Sequence, residues 1–150
     1  MSSLKAGRFY INLHSSTFSG GELRGQVLKP GEILYLSRMT GAAVAPAPDA
    51  GVSTNSGTMS FVLNAAKNSL FYNGSVTGIT TVGSLRLMDG VAGSAGSGPV
   101  YTLSSTLSGT QAVALDMTKL DSAGYYSDVT TTSYPAGEIR DQLNKEFVAP

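Results

Sequence analysis

Phe9 to Lys29 reads FYINLHSSTFSGGELRGQVLK, and Tyr125 to Lys145 reads YYSDVTTTSYPAGEIRDQLNK. Set one over the other, Tyr10 meets Tyr126, Gly21 meets Gly137 and Glu22 meets Glu138. Arg24 meets Arg140, Gln26 meets Gln142 and Lys29 meets Lys145. Between these identities the residue class is kept: Phe9 over Tyr125, Leu13 over Val129, Phe18 over Tyr134, Leu23 over Ile139. A repeat this far apart is not a short-period solenoid. It reads as one complete domain preceded by the last piece of another copy.

Each copy has the pattern of a β-hairpin. Phe9, Ile11 and Leu13 alternate with Tyr10, Asn12 and His14, the period of two of a strand with one buried face. The Ser/Thr/Gly-rich run to Gly21 is turn material. In the second strand Leu23, Gly25 and Val27 share one face, and Glu22, Arg24 and Gln26 the other.

Outward from these hairpins, short strands follow one another. They are expected at Glu32–Met39, Thr58–Leu63, Ser69–Val76, Ile79–Met88, Pro99–Leu103 and Thr110–Leu115. Residues 40–56, with their prolines and no periodicity, are a long loop. Residues 89–98 (DGVAGSAGSG) form a flexible glycine-rich loop. One short helix precedes the last hairpin, capped by Thr118, with Asp121 reaching back and Gly124 ending it. About eight short strands with turn residues between them predict an all-β, antiparallel sandwich or barrel. Residues 1–29 form a leading hairpin and 30–150 the domain.

The chain has 150 residues, and a single domain of that size buries ~70% of its unfolded surface. It has no cysteine, so neither disulfides nor thiol chemistry. Net charge is zero, which gives no support to a nucleic-acid or anionic-membrane partner. Ser and Thr (34) outnumber the charged residues (20), a composition suited to exposed strands and turns and common in secreted or surface proteins. No apolar run approaches membrane-spanning length. Met1–Lys5 is not a signal peptide, so an export signal is expected to have been removed or to lie on a longer precursor.

Tyr10-Ile11-Asn12-Leu13-His14, followed by a loop and Gly21-Glu22-Leu23-Arg24-Gly25-Gln26, resembles the closing motif of the CHRD domain. That module is repeated in chordin and occurs in many bacterial extracellular proteins. The motif recurs as Gly137-Glu138-Ile139-Arg140-Asp141-Gln142. Gly57 to Asn64, Ser69-Leu70 and Val76 to Ile79 resemble the family's middle strands, and the helix also matches. The likeness covers residues 32–144 as one whole domain, plus the leading hairpin. It implies an immunoglobulin-like β-sandwich, of the kind also seen in copper/zinc superoxide dismutase, and an extracellular location. Through chordin it implies an antagonist that binds bone morphogenetic proteins. Many bacterial members carry an Ala-His-(Ile/Val)-His pair where this chain has Ser84-Leu85-Arg86-Leu87-Met88, so a metal or degenerate dismutase role lacks its ligands there.

His14 is the only histidine. A transition-metal site needs several nitrogen or sulfur ligands, so His14 reads first as a strand-face residue. An interchain site built from two copies of it is the remaining metal candidate. Nucleophilic catalysis would need Ser or Thr with a base, and no Gly-x-Ser-x-Gly elbow is present. The carboxylates Asp89, Asp116, Asp121, Asp128 and Glu138 form no recognisable pair. Asp89 and its loop read as solvated before they read as a calcium site. No cofactor is expected. Asn73-Gly74-Ser75 is an N-glycosylation acceptor in a eukaryotic source.

Glu22/Arg24 and Glu138/Arg140 read as cross-strand ion pairs setting register on a solvated face, ahead of a binding site. The repeat leaves one hairpin in surplus, which is open to three explanations. It completes a neighbour's sheet by strand addition, with Phe9, Ile11, Leu13, Glu22, Arg24, Tyr126, Glu138 and Arg140 as contact residues. It is the tail of an upstream domain. Or it folds on its own chain. Strand addition is heterologous and propagates into a filament or ring. The function expected is a non-enzymatic, extracellular structural or interaction module whose partner is a second copy. A secreted growth-factor-like ligand is the alternative partner.

Overall fold

The computed structural model describes residues 10–20, 23–26, 28–48 and 51–149. In chain order the strands begin with β1 (Tyr10–Leu13), β2 (Leu23–Gln26), β3 (Ile33–Thr40) and β4 (Ser56–Leu63). Next come β5 (Ser69–Thr77), β6 (Ser84–Asp89), β7 (Gly98–Thr102) and β8 (Ser108–Ala112). A short helix α1 (Met117–Asp121) precedes β9 (Tyr125–Thr130), β10 (Ile139–Gln142) and β11 (Asn144–Val148). The fold is all-β and antiparallel, as the strand pattern predicts.

Strand β3 shows why. Ile33, Tyr35, Ser37 and Met39 are buried, while the residues between them lean outward, the alternation of a strand with one face on a core. It pairs with β4 along its whole length, from Ile33 opposite Leu63 to Thr40 opposite Ser56. Inward residues of β4 (Met59, Phe61, Leu63), β5 (Leu70, Tyr72) and β6 (Leu85, Leu87) join those of β3 in one core.

Nine strands form one sheet in the order β7-β6-β9-β10-β3-β4-β5-β8, with β11 also on β3. The sheet curls so that both of its ends share that core. The connection between β7 and β8 ties the two ends together. Leu103 N donates to Leu85 O at 2.7 Å, Ser104 N to the Tyr72 hydroxyl at 3.0 Å, and Gly74 N to Leu107 O at 3.0 Å. Gly74 has to be glycine, because a Cβ there would overlap the Thr58 carbonyl and Met59.

Five local readings need correction. The helix cap is Asp116, whose Oδ1 accepts from Thr118 N at 2.8 Å and Lys119 N at 3.2 Å. Asp116 therefore does what was expected of Thr118. At the other end Ala123 takes the left-handed conformation (φ 53) and Gly124 N returns to Lys119 O at 2.7 Å. The strand expected at Ile79–Met88 begins only at Ser84, and that expected at Thr110–Leu115 spans Ser108–Ala112. β11 carries five exposed residues, so its sequence has no alternation to signal a strand. Asp89, read as solvated, ends β6 and accepts from Lys119 Nζ at 2.5 Å.

Candidate functional site: two hairpins of one design

The last hairpin in sequence lies in the middle of the sheet. β9 pairs with β6 on one side and β10 on the other, and β10 reaches β3 through Arg140 opposite Thr40. Without β9–β10 the sheet would fall into β6–β7 and β3–β4–β5–β8.

The first hairpin has the same construction, residue for residue. Tyr10 pairs with Gln26 as Tyr126 pairs with Gln142, and Ile11 with Gly25 as Ser127 with Asp141. Asn12 pairs with Arg24 as Asp128 with Arg140, and Leu13 with Leu23 as Val129 with Ile139. The surroundings differ. β1 and β2 make a two-stranded sheet of their own, with Ile11 65% exposed. Such a hairpin is marginally stable alone.

Every residue of β9 is buried, contrary to the expectation of one solvated face. Tyr125 and Val129 join the core. Ser127, fully buried, hydrogen-bonds Ser37 Oγ at 2.7 Å. On the other face the loops fold down and cover Tyr126, Asp128 and Thr130. Three side chains of the closing motif hold those loops, and none of them forms the expected cross-strand ion pair. Glu138, 4% exposed, accepts from Asn55 Nδ2 (2.6 Å) and Ser53 Oγ (2.9 Å) on one oxygen and from Thr131 Oγ1 (2.6 Å) on the other. Burial alone would raise its pKa, but the three donors outweigh that and leave it below the usual glutamate value.

Arg140, 3% exposed, donates to Ser94 O (2.6 Å), Val91 O (3.3 Å) and Ala45 O (3.4 Å). Gln142 Nε2 donates to Ala123 O (2.5 Å) and Gly90 O (3.0 Å), and the Tyr126 hydroxyl to Ala95 O (2.7 Å). The glycine-rich loop is thus clamped along its length. Gly96 lets the loop lie this close, because a Cβ there would overlap the Asp89 carbonyl and crowd the Tyr126 ring.

A third contact sits beside them. Arg86 of β6 forks onto Asp128, Nε to Oδ1 at 2.8 Å and Nη2 to Oδ2, and also donates to Ala136 O at 2.9 Å. Burial pushes the Asp128 carboxyl up even against the pull of Arg86, while that bond raises Arg86 further. Sequence reasoning found Glu138 and Arg140 but overlooked Arg86, Ser37 and the role of Gln142. For Gln142 a signal existed, since Gln26 repeats it.

The remaining candidates are scattered. Phe9 and Glu22 lie outside the described residues. Leu13 and Arg24 stand in β1 and β2. Exposed His14 bonds through Nδ1 to Ser19 O at 2.7 Å, and no group of three metal-ligating side chains exists among the described residues. Asn73 is exposed in β5. No described helix is long and apolar enough to cross a membrane.

The fold is thus an antiparallel all-β domain with the hairpin β9–β10 in the middle of its sheet, and a second hairpin of the same register forms a sheet of its own. The CHRD domain family model matches residues 1–27 and 35–143, and the chain belongs to that family. The first match is the leading hairpin and the second the nine-stranded body without its end. CHRD domains are non-catalytic interaction modules of extracellular proteins, as in chordin-like proteins. Neither the curated proteins nor the solved structures give a match.

Proposed function

We propose that this chain is an extracellular, non-enzymatic interaction module that works by donating its leading hairpin to a CHRD-type sheet. In the simplest case the acceptor is a second copy, and the contact is heterologous, so it builds a chain or ring of subunits. One observation carries the proposal: β1–β2 has the pairing register of β9–β10, yet stands apart from the nine-stranded sheet. A hairpin of that register fits between strands equivalent to β6 and β3. There main-chain hydrogen bonds supply affinity and alternate side chains supply specificity.

The place it fits is internal, so donation is an exchange: the acceptor's own β9–β10 must leave. The test opens the slot. The full chain is held briefly at its urea midpoint at high concentration, returned to buffer and weighed by light scattering, beside a chain lacking residues 1–29. Assemblies above monomer mass are expected for the full chain alone. Identical mass distributions for the two would end donation to a second copy.

A further inference from the structure

The two hairpins share a backbone plan but differ on one strand. The sequence repeats one polar series in the two hairpins, Glu22, Arg24 and Gln26 against Glu138, Arg140 and Gln142. In the second copy that series grips loop carbonyls, hydroxyls and an amide of the body. β1 and β9 diverge where β9 touches its neighbours. Ile11 stands at the register position of Ser127 and Asn12 at that of Asp128, while His14 aligns with Thr130.

Each difference is a misfit in this chain's own slot. Ser127 faces Ser37 Oγ, which is fully buried. An isoleucine there adds branched carbon to a packed site and takes away the hydroxyl that Ser37 bonds. Asp128 is the carboxylate for Arg86, whose side chain is 17% exposed. Asparagine would leave that guanidinium without its charge partner, the costly way to break a buried pair. Thr130 bonds Ser84 Oγ at 2.8 Å. The backbone of Gly83 lies so close that a Cβ on it would stand 3.0 Å from Thr130 Oγ1. Thr130 is buried, so a larger imidazole would have to displace these neighbours.

We infer that the leading hairpin is shaped for a CHRD-type sheet different from its own. That acceptor has an apolar residue where Ser37 stands, an uncharged one where Arg86 stands, and space where Gly83 crowds Thr130. The shared latch series selects the class of acceptor, a CHRD body, and the divergent strand selects which one. Contact is then heterotypic by preference, and self-exchange is the disfavoured case. The inference rests on the hairpin donation proposed above and narrows its partner.

The experiment rewrites the donor and leaves the acceptor alone. The full chain carrying Ile11→Ser, Asn12→Asp and His14→Thr is compared with the native chain in the urea exchange, with Asn12→Asp alone as a second variant. All three positions lie outside the nine-stranded sheet, so the body folds as before, which circular dichroism checks. The triple variant is expected to give an assembled fraction at least about tenfold above native, with the single variant between them. Equal fractions in all three overturn the inference and leave donation standing. No assembly in any of them beyond the chain lacking residues 1–29 overturns donation itself, and the inference falls with it.

Discussion

Arg140 lies over the ring of Tyr126, its guanidinium carbon 3.6 Å from the ring centroid. The two residues sit on adjacent strands, and each sends its polar end into the loop of residues 90–96. The ring face attracts the cation, and the fork of N–H donors reaches carbonyls that a lysine could not serve together. Strand pairing, stacking and loop closure therefore meet at one side chain.

Removing that side chain should loosen the loop before it unfolds the sheet. Arg140→Ala is expected to cost about 3 kcal/mol, since several bonds to a charged group are lost and loop carbonyls are left unpaired. Arg140→Lys keeps the cation over the ring and should cost about half as much. Urea midpoints measure the stability, and limited proteolysis between residues 89 and 98 should rise sharply in the alanine variant. Unchanged cleavage there would remove the clamp from the account.

Glu138 makes the acid limb of stability predictable. Its folded pKa lies below the ordinary glutamate value of 4.5, because three donors outweigh the effect of burial. Its contribution is therefore present above pH 4.5 and lost as pH falls through the lower folded value. Asp128 runs the other way. Burial, stronger than the pull of Arg86, raises its pKa above 3.8. Its contribution is complete below 3.8 and lost as pH rises through the folded value. The stability difference between native chain and Glu138→Gln cancels the Asp128 part. That difference should be constant at neutral pH and shrink below pH 4.5. A flat difference down to pH 3 would mean the three hydrogen bonds do not depend on the charge.

The Arg86–Asp128 pair should behave asymmetrically. Asp128→Asn leaves a part-buried guanidinium without its carboxylate and is expected to cost about 3 kcal/mol. Replacing both, Arg86→Met with Asp128→Leu, should be close to neutral, because the pair gives up most of its Coulomb gain in desolvation. The raised pKa of Asp128 beside an arginine reflects the same balance. Thermal unfolding of both variants decides the matter. A double variant as unstable as the single one would show that the pair contributes net stability.

The strands were legible wherever one face meets the core and the other meets water, as in β3, where alternation follows directly from burial. The hairpins were legible because the chain contains them twice, and repetition set their register without any long-range information. The surroundings of β9 were not legible. Ser127, Asp128 and Thr130 look like solvent-facing residues, and their partners Ser37, Arg86 and Ser84 stand far away in the chain. Glu138 and Arg140 misled for the same reason: two charges at strand spacing resemble an ion pair until the loops that cover them are known. One local clue was available. Between the two copies the polar residues Glu, Arg and Gln are identical while the apolar ones vary, and that pattern fits side chains with several fixed partners.

Tyr35 offers the last test, at the centre of the core. It is fully buried, and its hydroxyl has no hydrogen-bond partner among the described residues. Burial, aided by the negative charge of Asp121, pushes its pKa up to about 12. An unpaired buried hydroxyl costs about 1–3 kcal/mol, whereas the ring itself packs as phenylalanine would. Tyr35→Phe should therefore stabilise the chain by about 1 kcal/mol, a rise of roughly 2–4 °C in melting temperature for a chain of this size. It should also change the alkaline limb. A group whose folded pKa is raised contributes fully below its unfolded value and loses that contribution as pH rises from 10 towards 12, so part of the native chain's loss in that window should disappear in the variant. Calorimetry at pH 7 and at pH 11 reads both effects. A lower melting temperature for Tyr35→Phe at pH 7 would show that the hydroxyl is bonded in the folded protein.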